Sequence, residues 1–145
     1  MDNMDPTAGP GAGTPETAPP GGTVLLVEEE QNVRTLLGRY LAEQGYAILE
    51  ARNSEEALNR CKAHKSSAIG LMICDLVMTE MTGIELARRA RSHHPGMKTL
   101  YLAAHSESSM IYRGIPLTDI SFLPKPFKLK ELIAAVNELL HRGKK

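Results

Sequence analysis

Residues 69–89 read IGLMICDLVMTEMTGIELARR, and this stretch decides the fold. Ile69–Cys74 is a short apolar run without polar alternation, the pattern of a strand covered on both faces. It leads into a carboxylate, Asp75. Thr82-Gly83-Ile84-Glu85 then has capping-box spacing and opens a helix to about His93, which Pro95-Gly96 terminates. A buried strand passing into a helix through a short loop is half of a parallel βαβ unit.

The same alternation extends in both directions. Upstream, Thr23–Val27 (TVLLV) is a first buried strand, and a helix follows at about 30–44. Val33, Leu36, Leu37, Tyr40 and Leu41 supply its apolar stripe, and Gly45 suits its C-terminal stop. Tyr46–Ala51 reads as a second strand, and Asn53-Ser54-Glu55-Glu56 as a capping box opening a helix to about His64. Downstream come a fourth strand at Thr99–Ala103, a weak helix at about 107–113 and a fifth strand at Ile120–Leu123. Leu129, Leu132, Ile133, Val136 and Leu140 mark a last amphipathic helix. Five strands alternating with five helices imply a parallel sheet with helices on both faces, a three-layer α/β sandwich. Ligands in such sheets bind beyond the C-terminal ends of the strands, so the residues there carry the chemistry.

Composition is consistent with one soluble globular domain. The chain has 145 residues, 42% hydrophobic and 23% charged, with no apolar run long enough to span a membrane and no basic-then-apolar leader. The cytoplasm is the expected location. Residues 1–22 hold five Pro, five Gly and three acids with no base, and read as a disordered tail or a linker from a longer protein. Gly9–Gly13 lacks the flanking strand and helix of a phosphate loop. The domain proper is 23–142, with a basic end at 143–145. Residues 23–145 carry 17 basic against 14 acidic residues, too even a balance for a nucleic-acid surface. Cys61 and Cys74 have no metal-ligand spacing and read as reduced core thiols.

The strand ends carry a distinctive set. Glu28, Glu29 and Glu30 follow strand one, Asp75 follows strand three, and Pro124-Lys125-Pro126 follow strand five. Each residue alone reads as part of a solvated surface. Together they bring carboxylates and a lysine to one edge. Clustered carboxylates repel unless a cation compensates, and a hard ion such as Mg²⁺ binds through few carboxylates while keeping waters. An aspartate beside such an ion and an ammonium is placed to attack a phosphoryl group.

TVLLVEEEQNVRTLL (23–37), ILEARNSEEAL (48–58), LMICDLVMTEMTGIELARR (71–89) and FLPKPF (122–127) resemble successive blocks of the response-regulator receiver domain, most closely the receivers of hybrid sensor histidine kinases. The resemblance spans about 23–141. It implies a flavodoxin-like fold with strand order 2-1-3-4-5, and phosphoryl transfer from a kinase histidine onto an aspartate with Mg²⁺. By position, Asp75 matches the phosphoacceptor and Lys125 the phosphoryl-contacting lysine. Glu29 matches a direct metal ligand, Glu28 one acting more through water, and Val77 the residue offering its backbone carbonyl. Pro126 matches a position that usually follows a cis peptide, and Phe122 the aromatic switch.

Three departures qualify this match, and two histidine features stand beside them. Both metal acids are Glu, one methylene longer than the usual Asp, which weakens the expected Mg²⁺ site. Ala103 stands where a Ser or Thr hydroxyl usually meets the phosphoryl group and triggers the switch. Thr79 replaces a usual proline, which should only loosen a turn. His105 lies near the mouth of the site and is a candidate phosphoryl contact, beside the plainer reading of an exposed loop histidine. His93 and His94 are adjacent, make a poor metal pair and read as solvated.

Two functions follow. The first is a two-component signalling receiver, a regulatory target rather than an enzyme, that takes a phosphoryl group on Asp75 from a sensor histidine kinase or histidine phosphotransfer domain. It would signal to a downstream protein through the weak helix, the fifth strand and the last helix, with no direct part for nucleic acid or membrane. The second is a degenerate receiver, a phosphorylation-independent interaction module.

Overall fold

A computed structural model of the chain describes residues 22–65, 67–104 and 121–141. Among the described residues, five strands and four helices follow one another: β1 (Gly22–Val27), α1 (Gln31–Glu43), β2 (Tyr46–Ala51), α2 (Ser54–Ala63), β3 (Leu71–Asp75), α3 (Gly83–Ala90), β4 (Lys98–Ala104), β5 (Ser121–Lys125) and α4 (Leu129–His141). The helix expected at about 107–113, and His105, lie outside the described residues. All strand pairs are parallel, in the order β2-β1-β3-β4-β5.

Alternation along each strand builds two cores. Leu25, Val27, Met72, Cys74 and Tyr101 face α2 and α3, where Ala57, Cys61, Leu86, Ala87 and Ala90 close over them. Their strand neighbours Val24, Leu26, Leu71, Ile73 and Leu100 face α1 and α4, against Leu37, Leu41, Leu132, Val136 and Leu139. Central strands covered on both faces cannot alternate in polarity, which explains their unbroken apolar sequences. Cys61 and Cys74 are both free and buried, and burial pushes both thiols up from their ordinary range.

Several local expectations require correction. The apolar stripe of α1 is rotated: Leu37, Gly38 and Leu41 are buried, whereas Val33 and Leu36 are 40% and 52% exposed. The cause is the close approach of α1 to β2 at Gly38, where a Cβ would stand 2.8 Å from Glu50 Oε2. That approach selects a stripe one residue around from the most hydrophobic one. β3 begins at Leu71, because its pairing with β1 starts there; Ile69 and Gly70 precede the strand. β3 and β5 each run further at their C-terminal ends than expected, so Asp75 and Lys125 are the last residues of their strands instead of lying beyond them, and β4 extends by one residue at each end. α3 ends at Ala90, with a turn over 91–93.

His94 is not solvated. It is buried, its Nδ1 accepts the Ile69 N–H at 3.1 Å, and its Nε2 lies 3.1 Å from the Cys61 carbonyl. Holding both bonds requires the neutral ring with its proton on Nε2. The imidazole therefore ties the end of α2 to the approach of β3. His93, its sequence neighbour, is exposed as expected.

Candidate functional site

Local capping chemistry shapes the C-terminal edge of the sheet. Asn53 Oδ1 accepts the Glu56 N–H at 2.8 Å, and Glu56 Oε1 accepts the Arg52 N–H at 2.9 Å, which fixes the turn from β2 into α2. Thr82 Oγ1 accepts the Glu85 N–H at 3.1 Å. Glu85 does not return to its cap but turns forward to Arg88 and Arg89, so only half of that capping box forms. Gly83 is required by contact: a Cβ there would collide with the Asp75 carbonyl. The first turn of α3 thus presses directly on the strand end that carries Asp75.

Asp75 and Lys125 meet. Lys125 Nζ lies 2.9 Å from Asp75 Oδ1, the two side chains being 39% and 27% exposed. The approach is a charge contact without hydrogen-bond alignment, and Oδ1 is buried with no aligned donor. The Lys125–Pro126 peptide is cis, as the resemblance implied.

The three glutamates after β1 have separate fates. Glu28 is buried; its Oε2 accepts the Glu30 N–H at 2.9 Å, and its own N–H bonds the Ala51 carbonyl. Burial pushes its pKa up, opposed by that hydrogen bond and reinforced by the nearby Asp75 charge. Glu30 caps α1 by accepting the Val33 N–H. Glu29 lines a cavity of about 260 Å³ together with Arg52, Asn53, Asp75, Val77 and Glu80. Among the described residues, no three acidic, histidine or cysteine side chains converge closely enough to form a metal cage. What remains fits a hard cation that keeps most of its waters: Glu29 and Asp75 on one cavity, with the third lining carboxylate, Glu80, bonded to Ser54, and a buried Asp75 oxygen lacking an aligned donor.

On the other flank of Asp75, Ala103 is fully buried and contributes no polar side-chain atom. Phe122 is half-buried, packs on the α2/α3-side core and pairs in register with Tyr101.

Several residues near the site were not singled out from sequence. Arg34 Nη1 donates to the Glu28 carbonyl at 2.7 Å and reaches the Glu29 carbonyl at 3.4 Å, clamping the acidic loop from α1. Ser54, 2% exposed, donates to Glu80 Oε1 at 2.8 Å and ties the loop after β3 to the start of α2. That tie restrains the loop where Thr79 stands instead of proline. Arg34 had a faint sequence signal, one helical turn after the acids; Ser54 and Glu80 are 26 residues apart and had none.

The family model for the response regulator receiver domain matches residues 24–137. The chain is 37% identical over 121 residues to the sensor kinase CckA of Brucella abortus (strain 2308), spanning 83% of this chain but only 13% of that kinase. The crystal structure of a receiver domain from the hybrid histidine kinase CckA superposes with a TM-score of 0.66 at 31% identity, covering 82% of this chain and 99% of that one. The response regulator TrrA of Thermotoga maritima, crystallised in complex with Mg²⁺ and BeF, gives a TM-score of 0.64 at 31% identity, covering 81% and 98%. No helix among the described residues is long and apolar enough to cross a membrane. The chain belongs to the response-regulator receiver-domain family of two-component signalling, with its flavodoxin-like fold.

Proposed function

We propose that this receiver accepts a phosphoryl group on Asp75 from a histidine kinase or histidine phosphotransfer domain, and passes the change to a protein partner. The observation that carries this reading is the 2.9 Å approach of Lys125 to Asp75 at the sheet edge, with Glu29 on the same cavity. In the transfer, an Asp75 carboxylate oxygen forms a bond to phosphorus as the P–N bond of phosphohistidine breaks. The electron pair stays on the imidazole nitrogen, which then takes a proton from solvent. Lys125 is positioned to meet the charge on the transferred group. Glu29 and Asp75 would hold Mg²⁺, with the Val77 carbonyl and, through water, Glu28; when bound, the ion supplies charge neutralisation for the phosphoryl oxygens. The Mg²⁺–BeF complex of the related TrrA supports that assignment.

The output surface would be the β5 edge of the sheet with α4 beside it, together with the segment at about 107–113. A second reading, the phosphorylation-independent interaction module, is favoured by one feature in particular: the buried Ala103 brings no hydroxyl donor to the site. The two are separated by titrating the labelled domain with Mg²⁺ and then beryllium fluoride. Saturable amide shifts at Glu29, Asp75 and Lys125, lost in Asp75→Asn, support phosphoryl acceptance. Silence at millimolar metal supports the interaction module.

A further inference from the structure

We infer that Arg52 is a second phosphoryl-recognising residue of this site, reaching the group from the β2 side while Ala103 of β4 carries no hydroxyl. This rests on the phosphoacceptor reading of Asp75. The backbone puts Arg52 in place: Ala51 is the last residue of β2, in register with Val27, and its carbonyl accepts the Glu28 N–H at 2.9 Å. The next residue therefore leaves the sheet beside the acidic loop, and its side chain lines the cavity onto which Asp75 opens.

Charge makes the case specific. The acidic residues lining that cavity are Glu29, Asp75 and Glu80, and Arg52 is the one basic residue among the described lining. A phosphodonor approaching Asp75 is itself anionic and meets a wall of carboxylates on this side. Lys125 contacts Asp75 from β5, the opposite flank of the sheet. The buried Ala103 adds no donor there. A guanidinium suits phosphoryl oxygens because its N–H groups form a planar fork that can donate two bonds at once.

In the resting chain that fork is lightly engaged. Arg52 Nε lies 3.1 Å from Glu56 Oε2, with the side chains 67% and 40% exposed. An exposed i,i+4 pair of this kind is weak, and an incoming dianion competes with it effectively. The turn does not depend on the pair, because Glu56 Oε1 holds the Arg52 backbone N–H and Asn53 holds the Glu56 N–H. The side chain can therefore swing without unfolding the turn.

The test uses acetyl phosphate with Mg²⁺, read by intact mass, and beryllium fluoride affinity, read by amide NMR. In the first reaction an Asp75 oxygen bonds to phosphorus, the P–O bond to the acetyl group breaks, and acetate leaves with the electron pair. Arg52→Gln is expected to slow modification and weaken beryllium fluoride binding by roughly fivefold to tenfold. Arg52→Lys should recover part of the loss. Glu56→Gln, which keeps the backbone acceptor and removes the competing charge, should shift both quantities the other way. A wild-type chain that takes no phosphoryl group overturns the Asp75 reading and this assignment together. A wild-type chain that is modified on Asp75, with Arg52→Gln folded and equally reactive, overturns the Arg52 assignment alone.

Discussion

Lys125 Nζ stands 2.9 Å from Asp75 Oδ1 although β4 separates the strands that carry them. Each residue is the last of its strand, so both side chains extend beyond the sheet edge and over the end of β4. The ammonium is near the attacking oxygen but not aligned to it as a hydrogen-bond donor. The contact is one of charge, and charge of this kind also serves a phosphoryl group formed on Asp75. Lys125→Gln is expected to reduce the rate of modification by acetyl phosphate by about 10²–10³, the usual effect of deleting one preorganised donor. Asp75→Asn should abolish it. Intact mass over time measures both, and an unchanged rate for Lys125→Gln would mean the lysine only neutralises the resting carboxylate.

The buried Glu28 predicts a pH dependence of stability. Burial raises its pKa in the folded chain above the ordinary 4.5, with the Asp75 charge adding to the effect. The folded state therefore keeps this proton to higher pH than the unfolded chain. Its stabilising contribution is complete below the unfolded value and is lost as pH rises through the raised folded value. Glu28→Gln retains an acceptor for the Glu30 N–H and removes the buried charge. In metal-free buffer its Tm should exceed that of the wild type at pH 7, and the gap should close near pH 4. Equal Tm values at pH 7 would show that the charge is well accommodated.

Gly83 predicts a coupled loss of stability and site geometry. Adding a methyl group forces α3 away from the Asp75 carbonyl, and overpacking of this kind costs about 1–3 kcal/mol. Gly83→Ala should lower the urea midpoint and move the Asp75 amide resonance. A loss of stability without any shift at Asp75 would mean α3 absorbs the strain elsewhere.

His94→Ala should be among the more damaging changes far from the site. It leaves the Ile69 N–H and the Cys61 carbonyl without their buried partner, at about 1–3 kcal/mol for each group left unsatisfied. Urea unfolding would measure the loss. Full stability in the alanine variant would show that water replaces the ring.

Ala103→Ser would place a hydroxyl where the penultimate residue of β4 has a fully buried methyl. Without a phosphoryl group the new hydroxyl is buried and lacks an assigned partner, so stability should fall by about 1 kcal/mol or more. With beryllium fluoride bound it gains an acceptor, so affinity for that mimic should rise and amide shifts should extend to Phe122. Lower stability with unchanged affinity would mean the β4 end does not face the bound group.

The sheet was legible because apolar runs such as TVLLV and LMIC have one good solution, a central strand covered on both faces, whereas its order was implied by the resemblance to receiver domains. The elements that failed are those set by neighbours. The buried stripe of α1 was displaced by one residue because Gly38 lets the helix settle on β2. His94 was misread because its partners, Ile69 and Cys61, are 25 and 33 residues away.

By itself, the sequence determined the strand and helix alternation, the residues at the strand ends and the departures at Glu28, Glu29 and Ala103, because these depend on local pattern and residue type. Only the tertiary structure decided how the acids divide their work. Glu28 turns inward onto the Glu30 N–H, Glu30 caps α1, and Glu29 lines the cavity with Asp75. Three consecutive glutamates carry the same chemistry in the chain. Which one faces a ligand depends on backbone direction after β1, and that direction is set by Arg34 from the first turns of α1 and by Ala51 from the neighbouring strand, a partner that no local pattern encodes.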